Sequence, residues 1–204
     1  MVTFDQPLYL KARDIVESLS LRDVVVRLGG FHCMMSFLGS IGYLMAGTGL
    51  KEAWSLIYAP NSVDKMLDGH AYARAVRAHM LNHQALAKFI SEDIIISEEE
   101  KEKIVEIFGS STLSVESIND EELLKNVANK LETTLMRYSE KGATSELWIQ
   151  YFRLVTVMKK FIEVERKGDW MAHLAAIHTF MPQDMFITRK VPTSTCKICS
   201  IYPM

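Results

Sequence analysis

Two side chains of complementary chemistry stand at matching places in the first fifth of the chain. Asp5 follows the β-prone run Val2-Thr3-Phe4, and His32 follows the run that ends at Leu28-Gly29-Gly30. Each lies at, or just after, the C-terminal end of an expected parallel strand. Ligands and catalytic groups gather at that edge of open α/β sheets. A carboxylate there can hold Mg²⁺, and a nearby imidazole can order it or shift protons. This makes Asp5 and His32 the catalytic candidates and Asp5 the metal candidate. The plainer reading has Asp5 capping the first helix and His32 bonding at the start of the second. Hydrolytic metal sites use two or three carboxylates, and the later ones near expected helix ends are Glu163, Glu165 and Asp169. Nothing in the sequence singles out one of these three.

Other groups carry weaker signals. His70, Arg74 and Arg77 recur at i, i+4, i+7, one helical face. Arg74 and Arg77 are binding candidates for phosphate groups, or partners for the carboxylate of a packed neighbour. His79 and His83 have the i, i+4 spacing of a helical metal pair, but the acidic residue and third ligand of a zinc helix are missing. Cys196-Lys197-Ile198-Cys199 is a C-x-x-C without a second pair to complete a zinc site. It also lacks the strand-to-helix setting of a redox dithiol. No phosphate-binding glycine loop, G-x-S-x-G or interleaved basic and aromatic pattern is present.

The elements that would position these groups are readable from periodicity. Val2–Phe4 reads as a strand, and Pro7 starts a helix striped by Leu8, Ala12, Ile15, Val16 and Leu19. Val24-Val25-Val26 reads as a strand buried on both faces. From Cys33 to Leu50 run 18 residues without a charge, the minimum for a membrane span. Glycines dilute that run, and no basic cluster or aromatic belt flanks it at both ends. A soluble, buried helix over 33–48 is therefore expected, with Gly39, Gly42, Ala46 and Gly49 as a stripe of close approach. Helices are expected over Lys51–Tyr58, from Ser62 to about Ser91, and from the Ser97/Glu100 capping box to Gly109. Others are expected from Asn119 to Gly142, along the stripe Leu147, Tyr151, Leu154, Val155, Met158, Ile162, and from Asp169 to Met181.

The expected fold is thus α+β and mostly α-helical, a short N-terminal βαβ unit followed by a large helical region. The divisions are 1–50, 51–182 and a divergent, disordered tail over 183–204. Two strands make a poor sheet, so further strands are expected upstream or from elsewhere. The 204 residues carry 23 Lys plus Arg against 25 Asp plus Glu, a net charge of -2 that provides no whole-chain drive toward nucleic acid or membranes. Three cysteines make no disulfide framework, and no leader is visible, so a location inside the cell, nucleus or cytoplasm, is expected.

Three stretches together resemble a known group of proteins. They are Thr3-Phe4-Asp5-Gln6-Pro7-Leu8-Tyr9 with Lys11-Ala12, Leu28-Gly29-Gly30-Phe31-His32 with Met35-Ser36-Phe37-Leu38-Gly39, and Gly69-His70-Ala71 through Arg74-Ala75-Val76-Arg77-Ala78-His79. Glu165-Arg166, Gly168-Asp169-Trp170 and His173-Leu174 extend the likeness to about residue 182. They resemble an uncharacterised multicopy animal family that looks mobile-element-derived, and its element order is similar to a ribonuclease-H-like transposase core carrying a helical insertion. Relatives of the broader group tend to have an acidic residue where Gly30 stands. The resemblance implies a truncated, inactive transposase-like fragment; the alternative is a helical protein-interaction module. Mg²⁺ enters only under a nuclease reading, nucleic acid only through the resemblance, and protein partners through the helical region; otherwise no cofactor or membrane partner is expected.

Overall fold

The computed structural model describes residues 2–109, 122–169, 171–173 and 175–176. Strands β1 (Val2–Phe4) and β2 (Val26–Leu28) pair in parallel, with Val2 opposite Val26 and Phe4 opposite Leu28. The helices are α1 (Gln6–Ser18), α2 (Gly30–Leu44), α3 (Leu50–Ser55), α4 (Pro60–Leu67), α5 (Tyr72–Glu92), α6 (Glu98–Gly109), α7 (Glu122–Ser139) and α8 (Ala143–Lys167). This is the mostly α-helical α+β class with a short parallel sheet at the N-terminal end. Among the described residues no helix is long and apolar enough to cross a membrane.

The contacts group the chain into two compact units, Met1–Leu81 with Arg153–Met204, and Asn82–Phe152. In the second, Ile90, Leu135, Tyr138 and Ile149 form the buried core, with Leu86, Ile94, Leu131 and Phe152 packed on it. Its α6 opens on the expected capping box: Ser97 N–H donates to Glu100 Oε2 at 2.9 Å, and Glu100 N–H donates to Ser97 Oγ at 3.2 Å.

In the first unit, α2 buries Cys33, Met34, Phe37, Leu38, Ile41 and Gly42. It packs on the C-terminal end of α4, and three glycines set the approach. A β-carbon on Gly42 would lie 2.1 Å from the Leu67 carbonyl oxygen, and one on Gly69 2.1 Å from that of Met35. Backbone oxygens cannot swing away as side chains can, so glycine is what these positions admit. The expected stripe holds at Gly39 and Gly42; Ala46 and Gly49 fall outside the helix, which ends at Leu44.

Three expectations need correction. The Leu8, Ile15 and Leu19 stripe of α1 faces solvent at 51%, 54% and 64% exposure, while Tyr9 is the buried residue, against Cys33, Phe4, Leu10 and Val26. The layer beneath decides which face of a two-faced helix is covered. Val24 and Val25 are exposed; Val25 lends its carbonyl to the Val2 N–H at 2.9 Å, but the paired register starts at Val26, because β1 offers three residues to pair with. The single helix expected from Ser62 to Ser91 is two helices. Gly69, at φ +77°, breaks it, a backbone conformation that costs a residue with a β-carbon roughly 1–2 kcal/mol. The Asn119 cap and the tail over 183–204 lie outside the described residues.

Candidate functional site

The two strand ends place Asp5 and His32 at one edge. Gly29 N–H donates to the Phe4 carbonyl at 2.9 Å, which closes the ladder just before α2 begins. Asp5 is the N-cap of α1, its Oδ1 accepting the Leu8 N–H at 3.0 Å, so the plainer reading of this exposed carboxylate is met. His32 sits half-buried on the first turn of α2, its backbone N–H on the Gly29 carbonyl and its ring packed edge to face with Phe31.

A second constellation lies on the other face of the sheet. Val26 packs into the Tyr9–Cys33 cluster, so the next residue, Arg27, points the opposite way. There Arg27 Nη2 donates to Glu165 Oε1 at 2.9 Å and approaches His173 Nε2 at 3.1 Å. Glu165 comes from the last turns of α8. His173 follows it in a turn of helix that Asp169 caps, with Oδ1 accepting the Ala172 N–H at 3.0 Å. His173 Nδ1 is in contact with Glu165 Oε1. That contact asks for a proton on Nδ1, which leaves Nε2 to accept from the guanidinium. The His173 pKa is lowered, first by burial and next by Arg27, against the opposing pull of Glu165.

Glycine at position 30 completes the arrangement. A β-carbon there would stand 2.2 Å from Glu165 Oε2, so the carboxylate rests directly on the first turn of α2. That turn has no acidic side chain and no side-chain cap, and a carboxylate over it is favoured by the helix dipole. Glu165 is thus held by a guanidinium, an imidazole and a helix start. The open cleft lined by Arg27, Val164, Glu165, Gly168, Asp169 and His173 measures about 90 Å³, room for a few waters rather than a substrate. Removing the carboxylate leaves Arg27 half-buried without it. Between the value of a surface pair and that of a buried one, Glu165→Ala is expected to cost about 1–3 kcal/mol in urea unfolding. An unchanged urea midpoint would show that the cluster is not what ties α8 to the sheet.

The other sequence candidates do not join this site. Arg74 Nη1 donates to Ser62 Oγ at 2.8 Å, and neither Arg74 nor Arg77 forms an ion pair with a carboxylate among the described residues. His70 lies in the turn before α5. His79 is fully buried, with its ring edge to face with Trp54 at 4.8 Å, and His83 is stacked on Phe152 at 4.3 Å. Among the described residues no group of three or more His, Cys, Asp or Glu could hold a metal ion. Glu165 was visible only as one of three carboxylates, and its link to Arg27 and His173 was missed. One signal was available: a charged residue inside an apolar strand, as Arg27 is, needs a counter-charge.

With this geometry in place, comparison with known families assigns the chain. It belongs to the family described as a domain of unknown function (DUF8702), whose family model matches residues 1–202. That span includes Cys196 and Cys199 and runs past residue 182, where the resemblance stopped. No curated protein and no solved structure matches the chain.

Proposed function

We propose that the chain is a mobile-element-derived, transposase-like core that no longer carries out metal-dependent cleavage. The observation that carries this reading is the carboxylate of Glu165 lying against Gly30. Asp5, residue 30 and Glu165 all belong to one end of the sheet, the arrangement expected of an edge that once gathered carboxylates. An acidic side chain at position 30 would face Glu165 across that gap. Glycine stands there instead, and Glu165 is committed to Arg27 and His173. A hydrolytic Mg²⁺ centre needs two or three free carboxylates. The residues present do not fit one, and no catalytic step is derived through a metal.

Such a protein would act inside the cell, in nucleus or cytoplasm, by binding rather than by cutting. The test has two parts. Purified chain with Mg²⁺ is expected to leave DNA intact; cleavage that Glu165→Gln abolishes would overturn the proposal. Gly30→Asp displaces Glu165 from Arg27 and is expected to create Mn²⁺ binding, read by calorimetry, that the unaltered chain lacks. A folded Gly30→Asp variant that binds no Mn²⁺ would remove position 30 from any ancestral metal edge.

A helical protein-interaction role is the second reading. The turn after α3 favours it, where Leu56 and Ile57 are 87% and 74% exposed side by side.

A further inference from the structure

The outer face of α8 carries more positive charge than the protein itself balances. Arg153, Lys159, Lys160, Arg166 and Lys167 are all exposed. On a helix they fall in one arc of about 140°, opposite the buried Leu154, Met158 and Phe161. Arg153, Lys160 and Lys167 recur every seven residues, and Lys159 and Arg166 make a second row beside them. The array is roughly 20 Å long at the helical rise. Between residues 153 and 167 stand five cations and two carboxylates, a charge of +3, where the whole chain is -2. Of the two carboxylates, Glu165 is turned to Arg27 and His173, and Glu163 pairs with Lys167. Lys159, Lys160 and Arg166 form no ion pair among the described residues. The helix dipole favours Arg166 and Lys167 in the last turn, but its effect falls off within that turn and does not reach Lys159 and Lys160.

We propose that this face of α8 binds the phosphodiester backbone of a nucleic-acid duplex without reading its sequence. Charge and shape select the occupant. A straight row of evenly spaced cations matches a polymer whose charges also recur along a line, as the phosphates of a duplex do. Such contacts hold a protein on the backbone and carry no base information. An anionic membrane is a poorer match. A helix lying on lipid sinks its apolar face into the acyl boundary, and the apolar face of α8 is already covered by the core. An acidic peptide would have to order its own side chains along the row, at an entropic cost that a stiff duplex does not meet. DNA and RNA share the backbone chemistry, and the test separates them. The face looks away from Glu165, so the proposal stands whether or not residue 30 belonged to a metal edge.

The probes are short fluorescein-labelled DNA and RNA duplexes of mixed sequence, titrated with the full chain by anisotropy at several salt concentrations. At least one duplex is expected to bind, and log K should fall against log salt with a slope of about −3, the value for three or four contacted phosphates. The double variant Lys159→Ala/Lys160→Ala should weaken binding about tenfold at low salt and flatten the slope by about 2. Lys103→Ala/Lys125→Ala removes the same charge from exposed positions on α6 and α7 and should leave affinity and slope unchanged. Binding of DNA, of RNA or of both supports the proposal and names the source. No binding of either duplex would overturn it. So would parent-like binding by a folded Lys159→Ala/Lys160→Ala variant, or an equal loss in the Lys103→Ala/Lys125→Ala control. Phosphatidylserine vesicles or polyglutamate binding where the duplexes do not would overturn it too, and would reassign the face to a membrane or an acidic protein. None of these outcomes decides the Gly30→Asp metal test, so the two proposals fail separately.

Discussion

Acidification from pH 7 to pH 5 is expected to cost the folded protein about 2 kcal/mol through His79 alone. The imidazole is fully buried in the first unit beside Trp54, and desolvation lowers its pKa from 6.5 to about 3. The sign follows from the two states. Above pH 6.5 both are neutral at this residue and no dependence arises. Below it the unfolded chain binds a proton that the folded chain refuses, so stability falls by about 1.4 kcal/mol per pH unit. The loss stops growing near the folded value of about 3. Urea unfolding at several pH values reads it directly. His79→Phe keeps a ring against Trp54 and removes the titration, so its stability curve should be flatter than the parent's by about 2 kcal/mol between pH 7 and 5. Comparing slopes rather than absolute stabilities separates titration from any change in packing. Parallel curves for the two proteins would refute the assignment.

Gly69→Ala is expected to be the most damaging single methyl in the described chain. Its φ of +77° already costs a residue with a β-carbon about 1–2 kcal/mol. The added carbon would also meet the Met35 carbonyl oxygen at 2.1 Å and the Gly39 nitrogen at 3.2 Å. Both are backbone atoms of α2, so the whole helix contact must open, an overpacking cost of about 1–3 kcal/mol on top of the strain. Gly47 provides the control. Its φ is +74°, and nothing lies within 4 Å of the place its β-carbon would take. Gly47→Ala should therefore show the strain without the clash. The thermal midpoint of Gly69→Ala is expected to fall below that of Gly47→Ala by roughly 3–10 °C for a chain of this size. Equal midpoints would mean that α2 and α4 can separate at little cost, and that the glycine contact does not define their packing. Gly42, facing Leu67 in the same way, should behave like Gly69 without the strain.

What the sequence determined by itself is whatever is settled within a few residues. Asp5 caps α1, Ser97 and Glu100 close on each other, and Asp169 caps the turn that carries His173, each by a bond spanning three residues. Of the stripe Leu147, Tyr151, Leu154, Val155, Met158, Ile162, all but the half-buried Leu147 are buried as the spacing requires, because α8 is covered on the face where those residues repeat. Tertiary structure decided the rest. In α1 the apolar residues sit on more than one side, and Tyr9 is the one fully covered, with Leu10 partly so, so composition could not set the phase. Val24-Val25-Val26 is apolar throughout, and how much of it becomes strand depends on β1, whose paired residues lie 24 positions away. The break at Gly69 follows from a close approach to α2, which no local propensity encodes. The Arg27–Glu165–His173 cluster joins residues 138 and 146 positions apart. Its partners come together only because α8 and the turn after it return to the sheet face opposite α1, where a charged residue in a strand needs a counter-charge and a glycine leaves room for one.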